Sequence, residues 1–256
     1  MTETRWFEQR MLGFDLETTS KLPEQARIVQ YALPSVGGGL ATDPVEVLVD
    51  PGVEVPQEAA GLHGITTELV RAQGTPAAQA VADIVATIGR TLAAGTPVVG
   101  HNAPYDYTML DRECRRHLGA GLAESLGRPL RPLVDTLVLS RHLEPKRRRP
   151  GPDQGPHALK TCVQALVPRK WGIGWDDDAA HGALYDALMS LRVAAAVGQS
   201  HPRIGSMTAE QLHDAQATWY PAQVADLEAF MRRMGNDVSF DRDWPLLPPA
   251  AQEAIA

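Results

Sequence analysis

The order of the hydrophobic segments constrains this chain more than any other feature. Met11–Leu16, Ile28–Leu33 and Val45–Val49 are short, rich in β-formers and bounded by Gly, Pro or Asp, which reads as three strands. Their connections are too short for helical crossovers, so they predict an antiparallel meander. Gly37-Gly38-Gly39 marks the turn between the second and third. The period then changes. Thr66–Gln73 and Pro76–Ala93 predict helices, the longer with Thr75 as N-cap and Pro76 at the first helical position. Val81, Ile84, Val85 and Ile88 share one of its faces. Pro97–Gly100 reads as a fourth strand, Pro104–Leu118 as a helix ended by Gly119, and Leu133–Asp135 as a fifth strand entering a helix over Thr136–His142. Two more helices are predicted over His157–Val167 and His181–Val197. A meander followed by β–α–β–α units implies an α/β fold, a mixed five-stranded sheet flanked by helices.

Residues 1–200 account for this architecture as one domain. After Ser200-His201-Pro202 the pattern becomes helical only, so residues 201–256 read as a C-terminal helical extension. It carries two amphipathic helices, Thr208–Ala217 and Tyr220–Met234, the second with Val224, Leu227, Phe230, Met231 and Met234 on one side. They either dock a polymerase or second copy or pack on their own domain.

The chain has 256 residues, 44% hydrophobic and 21% charged, an ordinary globular balance. No apolar run approaches the ~20 residues of a membrane span, and the charged stretch Met1–Arg10 has no apolar signal region. Cys114 and Cys162 fit a reducing compartment and positions packed in helices. These features predict a cytoplasmic protein without a membrane partner. A net charge of −7 argues against a protein that coats duplex DNA. It leaves room for an enzyme whose site is built from carboxylates.

Three strings carry chemistry. In Phe14-Asp15-Leu16-Glu17-Thr18-Thr19, side chains alternate across a strand, so Asp15 and Glu17 share a face while Leu16 points to the core. Two carboxylates about 7 Å apart along a strand can share hard cations that need oxygen ligands. The alternative is a pair of solvated acids on an edge strand. In His101-Asn102-Ala103-Pro104-Tyr105-Asp106, Asp106 falls in the first turn of a helix that follows a strand end, where ligands gather. An acid there also complements the helix dipole. In His181-Gly-Ala-Leu-Tyr-Asp186 the two polar residues are about 140° apart on an ideal helix, so they converge only if His181 lies on the entry loop. Asp178 reads as the N-cap of that helix, and Asp135 as a cap rather than a ligand.

An acid pair on the first strand, an acid after the fourth and H-x4-D on the last helix resemble the motifs of the DEDDh, or DnaQ-like, 3′–5′ exonucleases. That family is typified by the proofreading epsilon subunit of bacterial DNA polymerase III. Leu62-His63-Gly64-Ile65-Thr66 is similar to its H-G-I-T segment, Val134-Asp135-Thr136-Leu137 to its V-D-T-L segment, and His157-Ala158-Leu159 to the segment before its next helix. The resemblance spans roughly residues 10–198.

It implies a ribonuclease H-like fold and two divalent ions, Mg²⁺ or Mn²⁺, held by Asp15, Glu17, Asp106 and Asp186, with His181 as general base. It also implies backbone contacts from Leu16 and Thr18, and a contact from His63, to the terminal nucleotide. Asn102 would position water or substrate. The expected partner is the 3′ end of a nucleic acid, single-stranded DNA first with RNA as the alternative; nothing here recognisably reads a 2′-hydroxyl, so the residues alone do not decide between them. The competing functions are an RNA-trimming exoribonuclease and a catalytically silent nucleic-acid or polymerase-docking module. Arg141, Lys146, Arg147, Arg148 and Arg149 cluster in and just before the Pro/Gly-rich segment 145–156 and read either as a phosphate-holding patch or as a solvated charge run.

Overall fold

The computed structural model describes residues 5–249; the first four residues of the charged N-terminal stretch and 250–256 of the C-terminal extension lie outside the described residues. The strands are β1 (Met11–Gly13), β2 (Asp15–Thr18), β3 (Ile28–Ala32), β4 (Ser35–Val36), β5 (Glu46–Asp50), β6 (Thr75–Pro76), β7 (Val98–Gly100) and β8 (Leu133–Asp135). The helices are α1 (Gln57–His63), α2 (Thr67–Gln73), α3 (Ala77–Ala93), α4 (Ala103–His117), α5 (Leu122–Leu126), α6 (Thr136–Leu143), α7 (Leu159–Leu166), α8 (Ala183–Ser200), α9 (Pro202–Gly205) and α10 (Ala209–Arg233).

The predicted meander is present: β2 pairs antiparallel with β3, and β3 with β5. The first predicted strand, however, serves two sheets. Its first half, β1, lies parallel to β7, which lies parallel to β8, and its second half, β2, opens the meander. The resulting orders are β4-β1-β7-β8 and β2-β3-β5-β6. The change of sheet falls at Phe14, whose N–H still donates to the Val99 carbonyl at 2.9 Å. Gly13 lets α8 approach closely at this point, because a Cβ there would lie 2.8 Å from Leu191 Cδ1 and 3.2 Å from the Ala187 carbonyl.

Alternation along the central strands builds two cores. Leu12, Val98 and Leu133 face one, which α3, α4 and α5 cover; Met11, Val99 and Val134 face the other, covered by α7, α8 and α10. Helices therefore flank the sheets on both faces, the mixed α/β arrangement expected. On α3, Val81, Ile84, Ile88 and Leu92 are almost wholly buried at three- and four-residue spacing. Each contributes about 1.5–3 kcal/mol of hydrophobic stabilisation before ordering costs. Cys114 and Cys162 are both buried and unpaired, in α4 and α7.

Three local expectations are corrected. The N-cap of α3 is Pro76, because Thr75-Pro76 is drawn out to pair with Val49-Asp50. The N-cap of α8 is Gly182 rather than Asp178, whose N–H is engaged by the Asp176 carboxylate in a turn of its own. The two C-terminal helices are one 25-residue helix, α10, with Pro221 inside it. Proline removes one helical hydrogen bond, but contacts on both sides tie the helix to its support. Gln216 accepts from the Asp135 N–H at 2.7 Å and donates to the Leu133 carbonyl, while Gln223 donates to the Val138 carbonyl. Among the described residues, no helix is long and apolar enough to cross a membrane.

Candidate active site

Strand β2 sets the floor of the site. Asp15 and Glu17 lie on one face of the strand, and Leu16 between them is buried in the core. Helix α8 lies across that face and delivers Asp186 from its first turn. One carboxylate oxygen from each of Asp15, Glu17 and Asp186 lies within 4.8 Å of the others. Asp106 enters from the first turn of α4 and is buried, with the Leu16 N–H and its own N–H directed at its carboxylate.

The electrostatics follow from burial and crowding. Burial first, then the charges of Asp106, Asp186 and Glu17, holds the Asp15 carboxyl well above the usual carboxylate range. Glu17 is pushed up to about 8 by burial and by Asp186, Asp106 and Glu46. Burial takes Asp186 to about 6 against the opposing charge of His181. Burial also raises Asp106 well above its ordinary value. One Asp186 oxygen, Oδ1, is buried with no hydrogen-bond partner. Converging oxygen donors, mutual repulsion and an orphaned oxygen suit a hard divalent cation, which would supply the missing charge.

His181 sits outside the helix, two residues before its first residue, as convergence with Asp186 requires. Its φ of 61° is left-handed, uncommon for a residue with a Cβ, and the ring is exposed. His63 ends α1 at the same rim. Its Nδ1 accepts from the Ile65 N–H at 3.1 Å, which assigns the ring proton to Nε2. Burial lowers its pKa, and the Thr18 carbonyl and His181 are its polar neighbours. The Thr18 hydroxyl is paired with the Tyr105 hydroxyl at 2.7 Å. Asn102 is exposed, with a left-handed φ of 67° at the entry to α4.

Asp135 has the capping role expected of it, and at two helices. Its wholly buried carboxylate accepts from Asn102 and Ala103 at the start of α4, and from Leu137 and Val138 at the start of α6. The basic segment divides. Arg147 is an internal pin: its guanidinium donates to Glu144, Ser140 and the Pro156 carbonyl. Arg148 and Arg149 are exposed.

Sequence reasoning missed Gln30, Glu46 and Tyr105, which pack around these groups. A signal for Gln30 exists: it is the polar interruption of an otherwise apolar strand.

Comparison with known proteins gives a consistent family. The exonuclease family model, RNase T, matches residues 12–194. The chain belongs to that family and is a DnaQ-like exonuclease. It is similar to the DNA polymerase III subunit epsilon-like protein of Rhodobacter capsulatus, 29% identical over 73% of this chain and 23% of that protein. It is also similar to the DNA polymerase III subunit epsilon of Aquifex aeolicus, 24% identical over 70% of this chain and 75% of that one. Its fold is similar to that of E. coli Exonuclease I in complex with a dT13 oligonucleotide, with a TM-score of 0.61, 21% identity and coverage of 77% of this chain and 42% of the other. The chain spans only 8% of the PolC-type polymerase of Lacticaseibacillus paracasei that it matches, and 23% of the Rhodobacter protein.

Proposed function

We propose that the chain removes nucleoside monophosphates from the 3′ end of single-stranded DNA. The observation that carries the reading is the convergence of the Asp15, Glu17 and Asp186 carboxylates within 4.8 Å, beside buried Asp106, in a family of exonucleases. In this reading the four carboxylates hold two divalent ions, Mg²⁺ or Mn²⁺. Two ions supply charge stabilisation for both the attacking and the leaving oxygen of an in-line displacement at phosphorus. His181 takes a proton from the attacking water, whose oxygen forms the new bond to phosphorus as the bond to the leaving 3′ oxygen breaks. Its exposed position beside Asp186 favours that role, because the ring can reach the cleft and return its proton to solvent. In the same reading His63 and the backbone of Leu16 and Thr18 contact the terminal nucleotide, supported by the closeness of His63 to Thr18 and His181, and Asn102 positions water or substrate. The single-stranded DNA preference is supported by the dT13 oligonucleotide of the similar Exonuclease I complex.

The test is a digestion panel with 5′-labelled single-stranded DNA, mismatched primer-template and RNA, each with and without EDTA. The expected result is a ladder shortening from the 3′ end, fastest on single-stranded DNA and abolished by EDTA. Faster loss of RNA would replace the substrate assignment. No degradation of any substrate with Mg²⁺ or Mn²⁺ would overturn the catalytic one and leave a binding module.

A further inference from the structure

The helix that carries Asp186 begins without a cap of its own. Its N-cap is Gly182, which has no side chain, so the first N–H groups of α8 need acceptors from elsewhere. They find them across the fold. The Ala183 N–H donates to Gln30 Oε1 at 3.2 Å, and the Leu184 N–H donates to Glu46 Oε1 at 3.1 Å. Gln30 stands opposite Glu17 in the β2–β3 register, and Glu46 stands opposite Ala32, which is itself opposite Asp15. Directly paired residues project to the same side of a sheet. One sheet face therefore presents the acids Asp15 and Glu17 and, one and two strands away, the acceptors that hold the end of α8. Between them Ala32, Ala183 and Ala187 form a wholly buried contact of small side chains that lets the helix approach closely.

We infer that Gln30 and Glu46 are positioning residues for this active site, fixing the height and angle of the α8 N-terminus and thereby the placement of His181 and Asp186 over the acid pair. Two features make the placement sensitive. His181 and Gly182 form a short entry whose left-handed turn at His181 offers little stiffness from side-chain capping. The acceptors also come from two different strands, so they restrain the helix end in two directions, where a local cap would restrain it in one. Asp186 follows Ala183 by three residues, less than one helical turn, so any tilt at the start of the helix moves its carboxylate.

This inference rests on the proposed reaction, and the two fail differently. An inactive wild-type chain removes the reaction; an active one lets the positioning role be tested alone. The experiment measures kcat and KM on a 5′-labelled single-stranded DNA in Mg²⁺ for the Gln30→Ala/Glu46→Ala pair, in the wild-type and His181→Ala backgrounds. In the wild-type background kcat should fall by about 10–100-fold with KM nearly unchanged, the loss expected when a reacting group is displaced by about an ångström. Glu46→Gln, which keeps an oxygen acceptor, should recover most of the loss caused by Glu46→Ala. In the His181→Ala background the pair should cost less, because only the misplacement of Asp186 then remains to be felt. An unchanged kcat in the wild-type background would overturn the inference, and an equal loss in both backgrounds would overturn its His181 half and leave Asp186 as the group that is positioned. Should the pair fail to fold, Gln30→Leu alone removes one acceptor, and full activity in that variant would overturn it equally.

Discussion

Four carboxylates held against one another make protonation the state variable of the metal-free site. Glu17 and Asp186 are raised to about 8 and about 6, and Asp15 and Asp106 are raised with them. The folded chain therefore keeps protons that the unfolded chain releases. The cluster's contribution is intact below the unfolded carboxylate range and is lost as pH rises through the folded values. Buried histidines act in the opposite sense: His101 and His157, lowered by burial to about 4, destabilise the fold as pH falls below about 6.5. Above about pH 7 the histidines are largely neutral in both states, and from there to about pH 8 the raised carboxylates dominate the slope, up to about 1.4 kcal/mol per pH unit for each group still titrating. Urea melts in EDTA should show stability falling across that window, and saturating Mg²⁺ should abolish the fall. Equal stability at both ends in EDTA would mean that the carboxylates do not share their charge as described. His181 provides a second residue-level test. His181→Ala should lower kcat by roughly 10²–10⁴, the usual worth of a general base, while the rise in Tm produced by Mg²⁺ persists; near-full activity at neutral pH would remove His181 from the mechanism.

At the scale of elements, what the sequence makes legible is what is encoded locally. Alternation along β2 places Asp15 and Glu17 together, and the three- and four-residue spacing of Val81, Ile84 and Ile88 declares α3. What lies beyond reach is settled by partners distant in the chain. The pattern divides the C-terminal stretch at residues 218–219, yet α10 continues through them and through Pro221, with Gln216 and Gln223 fastened to β8 and α6 on either side. Gln30 and Glu46 serve a helix that begins about 150 residues later, and no local pattern announces that. Asp135 lies between these cases: its place between a strand and a helix reveals one cap, and only the fold reveals the second, at α4. Replacing it tests both. Asp135→Ala strips acceptors from two helix N-termini, each worth about 0.5–2 kcal/mol. At about 2–4 °C per kcal/mol for a chain of this size, Tm should fall by several degrees. Because α4 carries Asp106, activity below the new Tm should fall too. A thermal melt matching wild type would show that water replaces the carboxylate at both helix ends.

The molecule is closed by a strap that runs from the end of α10 back across the first core. Glu228 fixes its start, accepting from the Phe240 N–H and the Arg242 guanidinium. Trp244 then packs beside His213, with ring centroids 4.9 Å apart, and its indole N–H points at the Asp135 carboxylate at 3.5 Å. Leu246 lies against the core that holds Tyr107 and Leu110 of α4. The Leu247 N–H donates to the Thr108 hydroxyl, and Arg112 donates to the Leu247 and Pro248 carbonyls. Every one of these strap contacts beyond Glu228 reaches α4, α10 or Asp135, the elements that support Asp106. The matched exonuclease region ends at residue 194, and by these contacts α10 and the strap brace α4, β8 and α6. We propose on that basis that residues 201–249 fold as a unit with the preceding domain. A chain ending at Gly235 tests the brace directly. It loses the Trp244 and Leu246 packing, partial burial of side chains worth about 1.5–3 kcal/mol each when fully buried, so its Tm should drop by roughly 5–10 °C. It should also leave Arg112 with fewer partners and raise hydrogen exchange in α4, where Thr108 and Arg112 bond the strap, more than in α3. The Mg²⁺-dependent rise in Tm should remain, since Asp15, Glu17 and Asp186 hang from β2 and α8. Unchanged stability and exchange in the shortened chain would show the strap to be an ornament of the surface, and a lost Mg²⁺ response would show it to be part of the site.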